Sequence, residues 1–172
     1  MSEKYEAKRT QTLALIGIFT AVITSLTFMI RIPSPSSGYI NLGDSAIMLA
    51  TLVLPFRGAV VAAGVGSALA DIFAGYLIYA PFTFFIKILE VIVIYLLRRY
   101  LNTNKYFIPF FAGGLVMALS YAIVDGIMLM GIGAFFISLG SNIGQGVVSA
   151  MIVTVVYPKF NKMVTQLRGL DT

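Results

Sequence analysis

Six apolar segments joined by short polar connections make up most of this chain, and they limit the folds open to it. A helix needs about 20 apolar residues to cross the hydrocarbon core of a bilayer. The pattern predicts an all-α integral membrane protein, a six-transmembrane-helix bundle forming a single domain over residues 1–172. The predicted spans are residues 10–30, 42–54, 58–77, 81–97, 107–130 and 134–157.

Composition supports this class and excludes several kinds of site. Only 11% of the residues are charged, whereas soluble proteins carry about 25%. The chain contains no Cys and no His, which excludes disulfides, thiolate metal sites and catalytic imidazoles. It also lacks a G-x-x-x-x-G-K-[ST] loop, so it cannot hydrolyse ATP by that route. We therefore predict no catalytic site, no metal site and no cofactor in this chain.

The basic residues predict how the bundle is oriented. If the spans alternate in direction, the only basic residue on one side is Arg31. The other side carries Lys4, Lys8, Arg9, Arg57, Arg98, Arg99, Lys105, Lys159, Lys162 and Arg168. Because cytoplasmic loops are rich in Lys and Arg, we predict a multi-pass protein of the cell membrane with both termini cytoplasmic.

Ionisable residues inside the apolar spans are the strongest indication of function. Asp71, Lys87, Glu90 and Asp125 all fall within predicted spans. At 1.5 Å per residue they lie roughly 7–17 Å below the outer helix ends, at the same level as Asn142 and Gln145. Ionisable residues at such depth usually face a polar cavity.

One lysine cannot neutralise three acids, so the cluster keeps a formal charge of −2. That balance favours a cavity for a neutral or weakly basic ligand with N–H or O–H donors. The alternatives are a structural charge network or an ion path.

The predicted outer loops flank this layer. Residues 32–40 contain two prolines, and they either cover the cavity or form a stiff connection. Asn41 and Asp44 follow in an N-x-x-D arrangement, which predicts that Asp44 is mainly a helix cap and helix-dipole partner. Residues 75–81 carry tyrosines, which either form an interfacial belt or stack on a flat ligand.

Small residues repeat every fourth position in the first span, at Gly17, Ala21 and Ser25. Such a face allows close approach of another helix. The partner is either a helix of this bundle or another membrane protein.

Four motifs in order carry a resemblance to a known family. They are GYINLGD at 38–44, GSALAD at 66–71, YAPFT at 79–83 and K-x-x-E at 87–90. The chain resembles a substrate-binding S component of the energy-coupling factor (ECF) vitamin transporters. It is most similar to the members assigned to hydroxymethylpyrimidine or pyridoxine. Riboflavin, thiamine and pantothenate are the other vitamins considered, and pantothenate, as an anion, fits an acidic pocket less well.

The resemblance implies a vitamin pocket near the outer face, with the first outer loop as its lid. It implies docking of Gly17, Ala21 and Ser25 on a transmembrane coupling subunit, while two ATPase subunits hydrolyse ATP. We predict that Glu90 and Asp125 accept hydrogen bonds from the ring substituents, that Tyr79, Phe82 or Tyr121 stacks on the ring, and that Asn142 or Gln145 adds amide contacts. The predicted ligand-binding residues are Tyr39, Asn41, Asp71, Tyr79, Phe82, Lys87, Glu90, Tyr121, Asp125, Asn142 and Gln145.

Two functions of other classes compete with this interpretation. A stand-alone ion-coupled carrier would transport solute without partner subunits. An intramembrane enzyme using an acidic pair would need Asp71 for chemistry but not for binding.

Overall fold

The computed structural model describes residues 2–33, 39–101, 107–129 and 131–169. Within these residues there are six α-helices, a π-helical segment and two short strands. The α-helices are α1 (Ser2–Met29), α2 (Gly43–Val53), α3 (Phe56–Phe73), α4 (Ala80–Leu101), α5 (Phe107–Ile123) and α6 (Ile132–Gly169). The π-helical segment, Val124–Leu129, continues α5, and the strands are β1 (Arg31–Pro33) and β2 (Tyr39–Asn41).

Five of the described helices are long and apolar enough to cross a membrane, and α2 is not. With 11 residues, α2 rises only about 16 Å. Most of its residues are buried, including Ile47 and Met48. Its apolar character therefore serves packing inside the bundle, and a sixth crossing by α2 stays a prediction.

The helices pack as a closed ring in the order α1, α3, α4, α5, α6 and α2. Two contacts within the ring depend on glycine. A side chain at Gly66 would come within 2.9 Å of the Thr20 carbonyl oxygen, and one at Gly114 within 2.9 Å of the Gly146 Cα. These glycines let α1 approach α3 and α5 approach α6 with almost no side chain between the backbones.

The two strands form an antiparallel hairpin at one end of the bundle, which we call the hairpin end. Arg31 pairs with Asn41, and Pro33 pairs with Tyr39. The sequence predicted an irregular loop here, but its two ends pair as strands and lead directly into α2. Residues 34–38, the middle of the predicted lid, lie outside the described residues.

Several predicted boundaries shift for local reasons. The helix α3 ends at Phe73 rather than at residue 77, and Gly75 follows with φ of 82°. Left-handed backbone of this kind ends a helix and suits glycine. The fifth span is not one α-helix, since its last part is π-helical. The helices α1 and α6 extend beyond their apolar spans, and α6 continues through Pro158.

Candidate functional site

A small cavity with about 40 Å³ of free space lies at the hairpin end. Residues from the hairpin, from α1, α3, α4, α5 and α6, and from the π-helical segment surround it. The lining residues are Thr27, Tyr39, Ile40, Asn41, Ser67, Asp71, Tyr76, Tyr79, Thr83, Lys87, Tyr121, Asp125, Ser141, Asn142 and Gln145.

All but two of the predicted ligand-binding residues line this cavity, and the exceptions are Glu90 and Phe82. Glu90 is completely buried beside Lys87 and does not line the cavity, so its direct contact with a ligand stays a prediction. Phe82 is half-buried and packs against the apolar cluster of Tyr79 and Ile86. It does not line the cavity, so its role as a stacking residue stays a prediction.

Asp44 is a central member of the site, and its assignment as mainly a helix cap is wrong. The residue before α2 is Leu42, whose side chain makes no capping hydrogen bond, and no cap by Asp44 is present. Asp44 is instead 0% exposed, and it forms an ion pair with Lys87. Lys87 also donates to Glu90 Oε2 at 3.2 Å. A single ammonium group therefore lies between two buried carboxylates.

This arrangement changes the charge balance of the layer. Four carboxylates (Asp44, Asp71, Glu90 and Asp125) against the one ammonium of Lys87 leave a formal charge of −3 rather than −2. Two of the four, Asp71 and Asp125, line the cavity without contacting the lysine in the described ion pairs. The cavity wall is therefore rich in hydrogen-bond acceptors.

Gln145 connects the hairpin to the charged floor of the cavity. Its Oε1 accepts from the backbone N–H of Asn41 at 2.7 Å, and its Nε2 donates to Asp44 Oδ2 at 2.7 Å. The Asn41 side chain in turn accepts from the backbone N–H of Gly43 at 2.8 Å, which steadies the turn from β2 into α2. The position of β2 and the position of the buried charges are thus set by one side chain.

Tyrosines form the wall between the hairpin and α4. Tyr39 donates to Asp71 Oδ1 at 2.6 Å, and Tyr79 donates to Asp125 Oδ1 at 2.7 Å. The ring of Tyr76 lies between them, with centroids 5.1 Å from Tyr39 and 6.1 Å from Tyr79. Because Tyr79 is buried, it is not a residue of an interfacial belt.

The two hydroxyl groups that touch carboxylates remain protonated. Burial raises the pKa of the Tyr39 phenol, and the neighbouring Asp71 carboxylate raises it further. Burial and the hydrogen bond to Asp125 raise the pKa of Tyr79. Both phenols therefore act as donors at neutral pH, and each occupies one oxygen of its carboxylate.

The π-helical segment carries Asp125 at the cavity. Single π-helical turns often occur at functional sites because they change the direction in which side chains point. Close packing holds this segment, since a Cβ at Gly126 would lie 2.4 Å from the Phe135 Cβ. One turn earlier, Tyr121 donates to Thr83 Oγ1 at 2.9 Å, and its ring centroid lies 5.5 Å from Lys87 Nζ.

Sequence reasoning did not predict several of the lining residues. Ser67 and Thr83 each precede a predicted site residue by four positions on the same helix, and that spacing could have identified them. Tyr76 was considered only as part of an aromatic loop. For Thr27 the sequence gives no signal beyond its depth.

The small-residue face of α1 is exposed in this chain. Gly17, Ala21 and Ser25 are all exposed, and a Cβ at Gly17 would meet nothing within 4 Å. The helix packs on α3 through another face, where the Thr24 hydroxyl donates to the Gly66 carbonyl at 2.9 Å. Packing within the bundle therefore does not explain the repeat of small residues.

Comparisons with known proteins agree with the architecture. Residues 7–162 match the family model described as ECF-type riboflavin transporter, S component. An uncharacterised protein in the gap 3′ region of Pyrococcus woesei is 45% identical over 105 residues, which are 59% of this chain and 70% of that protein. The solved S component of a bacterial ECF transporter has a TM-score of 0.77, covering 91% of this chain and 98% of its own. At 18% identity, that match is a likeness of fold.

Proposed function

This chain belongs to the family of ECF-type transporter S components, and we propose that its cavity binds a flat, uncharged vitamin rich in O–H or N–H donors, with hydroxymethylpyrimidine or pyridoxine as first candidates. Proteins of this family are substrate-binding subunits of transporters, and they are not a family of enzymes. The chain is a multi-pass membrane protein, with five described helices long enough to span.

The main support for an uncharged ligand is that Lys87 is already paired with two carboxylates. Lys87 is the one cationic side chain among the described cavity residues, and two buried carboxylates already contact it. A carboxylate or phosphate ligand would therefore find no free cation and would meet Asp71 and Asp125. A neutral ligand with donors would instead offer them hydrogen bonds, which are strongest when the acceptor is charged.

The aromatic wall supports a flat ring as the other half of the ligand. Tyr39, Tyr76 and Tyr79 follow one another at ring distances typical of aromatic contacts. An aromatic heterocycle could pack against such a wall in an offset or edge-on geometry.

Riboflavin is the second candidate, because the matching family model is described as a riboflavin transporter S component. Riboflavin also fits the chemistry, since it is uncharged, flat and hydroxylated. Pantothenate is an anion, which the acidic wall disfavours. Thiamine is a cation, which the wall would accept, so preferential binding of thiamine would keep the acidic site and refute only the uncharged ligand.

The ligand class can be tested on the purified chain. The protein is denatured after purification in detergent, and any released molecule is identified by mass spectrometry. A second, folded portion of the protein, freed of ligand by dialysis in detergent, is then titrated with hydroxymethylpyrimidine, pyridoxine, riboflavin, thiamine and pantothenate. We expect one neutral heterocycle to bind at a ratio of one per chain. Preferential binding of pantothenate, or no binding at all, would refute the proposal.

We further propose that the exposed face of α1 docks on the transmembrane coupling subunit of an ECF module, whose two ATPase subunits hydrolyse ATP. The predicted orientation, with both termini cytoplasmic and the cavity facing outside, belongs to the same proposal. Exposure of Gly17, Ala21 and Ser25 supports it, because a face of small residues lets two helices pack closely.

A leucine substitution on the exposed face of α1 tests docking on the coupling subunit separately from vitamin binding. Ala21→Leu should abolish co-purification of the module subunits and vitamin uptake while leaving the Kd of the isolated chain unchanged. Val22→Leu, one position away and also exposed, is the matched control. Uptake by proteoliposomes that contain this chain alone would instead support the stand-alone ion-coupled carrier.

A further inference from the structure

Three buried side-chain oxygen atoms near the cavity have no hydrogen-bond partner among the described residues. They are Thr27 Oγ1, Ser67 Oγ and Asp71 Oδ2. Their residues are 5%, 1% and 4% exposed, and all three line the cavity. Because buried polar groups are normally paired, three unpaired groups on residues that line one cavity indicate a place for a polar atom of a ligand.

The helix packing brings these groups to one level. Ser67 and Asp71 are four residues apart on α3 and therefore share a face. The helices α1 and α3 run parallel, with Thr24 bonded to the carbonyl oxygen of Gly66. Thr27 lies about one turn beyond Thr24, so it reaches the level of the turn from Ser67 to Asp71.

The remaining oxygen of Asp71 fixes how the carboxylate faces the cavity. Tyr39 already donates to Oδ1 at 2.6 Å. Oδ2 has no partner at normal hydrogen-bond geometry, although the Thr83 hydroxyl lies close to this carboxylate. The hydroxyls of Thr27 and Ser67 can each donate and accept. The set therefore combines one charged acceptor with two groups able to donate.

We propose that Thr27, Ser67 and Asp71 form a subsite for an alcohol group of the ligand. A ligand hydroxyl can donate to Asp71 and accept from Thr27 or Ser67 at the same time. A methyl group at this position would leave all three atoms unpaired, and a carboxylate or phosphate would be repelled by Asp71. The subsite thus selects the alcohol form of a vitamin over its deoxy, acid or phosphate-ester form.

This inference rests on the proposed function, and pairs of ligands differing in one hydroxyl test it. The pairs are pyridoxine with 4-deoxypyridoxine, hydroxymethylpyrimidine with its methyl analogue, and riboflavin with 5′-deoxyriboflavin. Each Kd is measured by titration calorimetry on the parent chain. For the pair whose alcohol member binds, we expect the alcohol to bind about tenfold to a hundredfold more tightly, as expected for leaving buried polar groups unpaired.

Substitutions then test whether Thr27, Ser67 and Asp71 cause the preference for the alcohol. In Thr27→Val/Ser67→Ala the advantage of the alcohol should fall but not disappear, because the charge-assisted contact with Asp71 remains. Asp71→Asn keeps the shape of the site and should also reduce the ratio, which covers the case that the double variant does not fold. Ser149→Ala is the matched control: its hydroxyl is buried and unpaired, but it lies outside the cavity.

The outcomes separate the two proposals. If the parent binds no member of any pair, the proposed function is refuted and the subsite with it. If the parent binds both members of a pair equally, or the double variant and Asp71→Asn keep the full discrimination, the subsite alone is overturned. A reduced ratio in these variants, with an unchanged ratio in Ser149→Ala, supports it.

Discussion

Removing the ammonium group of Lys87 tests the charge network at the floor of the cavity. In Lys87→Met the side chain keeps a similar length but loses its charge. Asp44 and Glu90, both fully buried, would then face each other without a cation. The described ion pairs of the site contain no second cation that could take the place of Lys87.

The magnitude follows from the number of charges that are left behind. Breaking one buried ion pair by removing a partner costs about 3–5 kcal/mol. Lys87 serves two carboxylates, so we expect the upper end, about 5 kcal/mol of the free energy of unfolding. For a domain of this size 1 kcal/mol corresponds to about 2–4 °C in Tm, which predicts a fall of roughly 10–20 °C.

The assay is thermal unfolding of the ligand-free chain in detergent, followed by far-ultraviolet circular dichroism. Lys159→Met removes an exposed lysine and is the matched control, expected to change Tm by less than about 2 °C. Lys87→Met/Asp44→Asn should be more stable than Lys87→Met alone, because it leaves one fewer uncompensated charge. A Tm of Lys87→Met equal to that of the parent would refute this account of the network.

Two further predictions concern helix packing and the hairpin. Gly114→Ala places a methyl group against the backbone of Gly146 and should cost about 1–3 kcal/mol of stability. In the control Gly140→Ala the new methyl group meets nothing within 4 Å, so Tm should be unchanged or slightly higher. Equal Tm values for the two variants would contradict the close contact of α5 and α6. Gln145→Leu removes the link between β2 and Asp44 and should speed ligand dissociation about tenfold in a competitor chase; an unchanged rate would show that this link does not hold the ligand.

The depth of the site could be predicted from the sequence, because apolar segments and helical rise fix where a residue lies along its helix. Asp71, Lys87 and Asp125 were placed in one layer on this basis, and the structure brings them to one cavity. The sequence predicts less well which way a side chain points around the helix axis. Glu90 lies three residues after Lys87, which turns it by about 60°, enough to place it behind the lysine rather than at the cavity.

The role of Asp44 could not be predicted from local sequence. An acidic residue in the first turn of a helix has the same pattern whether it caps the helix or forms a buried ion pair. The difference lies in Lys87, which is 43 positions away in sequence. The π-helical segment was missed for a similar reason, because its register depends on the packing of Gly126 against Phe135.

Because Gln145 bonds both to β2 and to Asp44, the position of the hairpin is coupled to the buried charges. If a ligand at the floor favours the position in which Gln145 contacts both β2 and Asp44, thermodynamic reciprocity requires that holding β2 in that position raises affinity for the ligand by the same factor. Conversely, moving β2 away from that position lowers affinity for the ligand. Since α1 runs directly into β1, a partner that binds α1 and displaces the hairpin would weaken ligand binding, and its free energy of docking would become free energy of release.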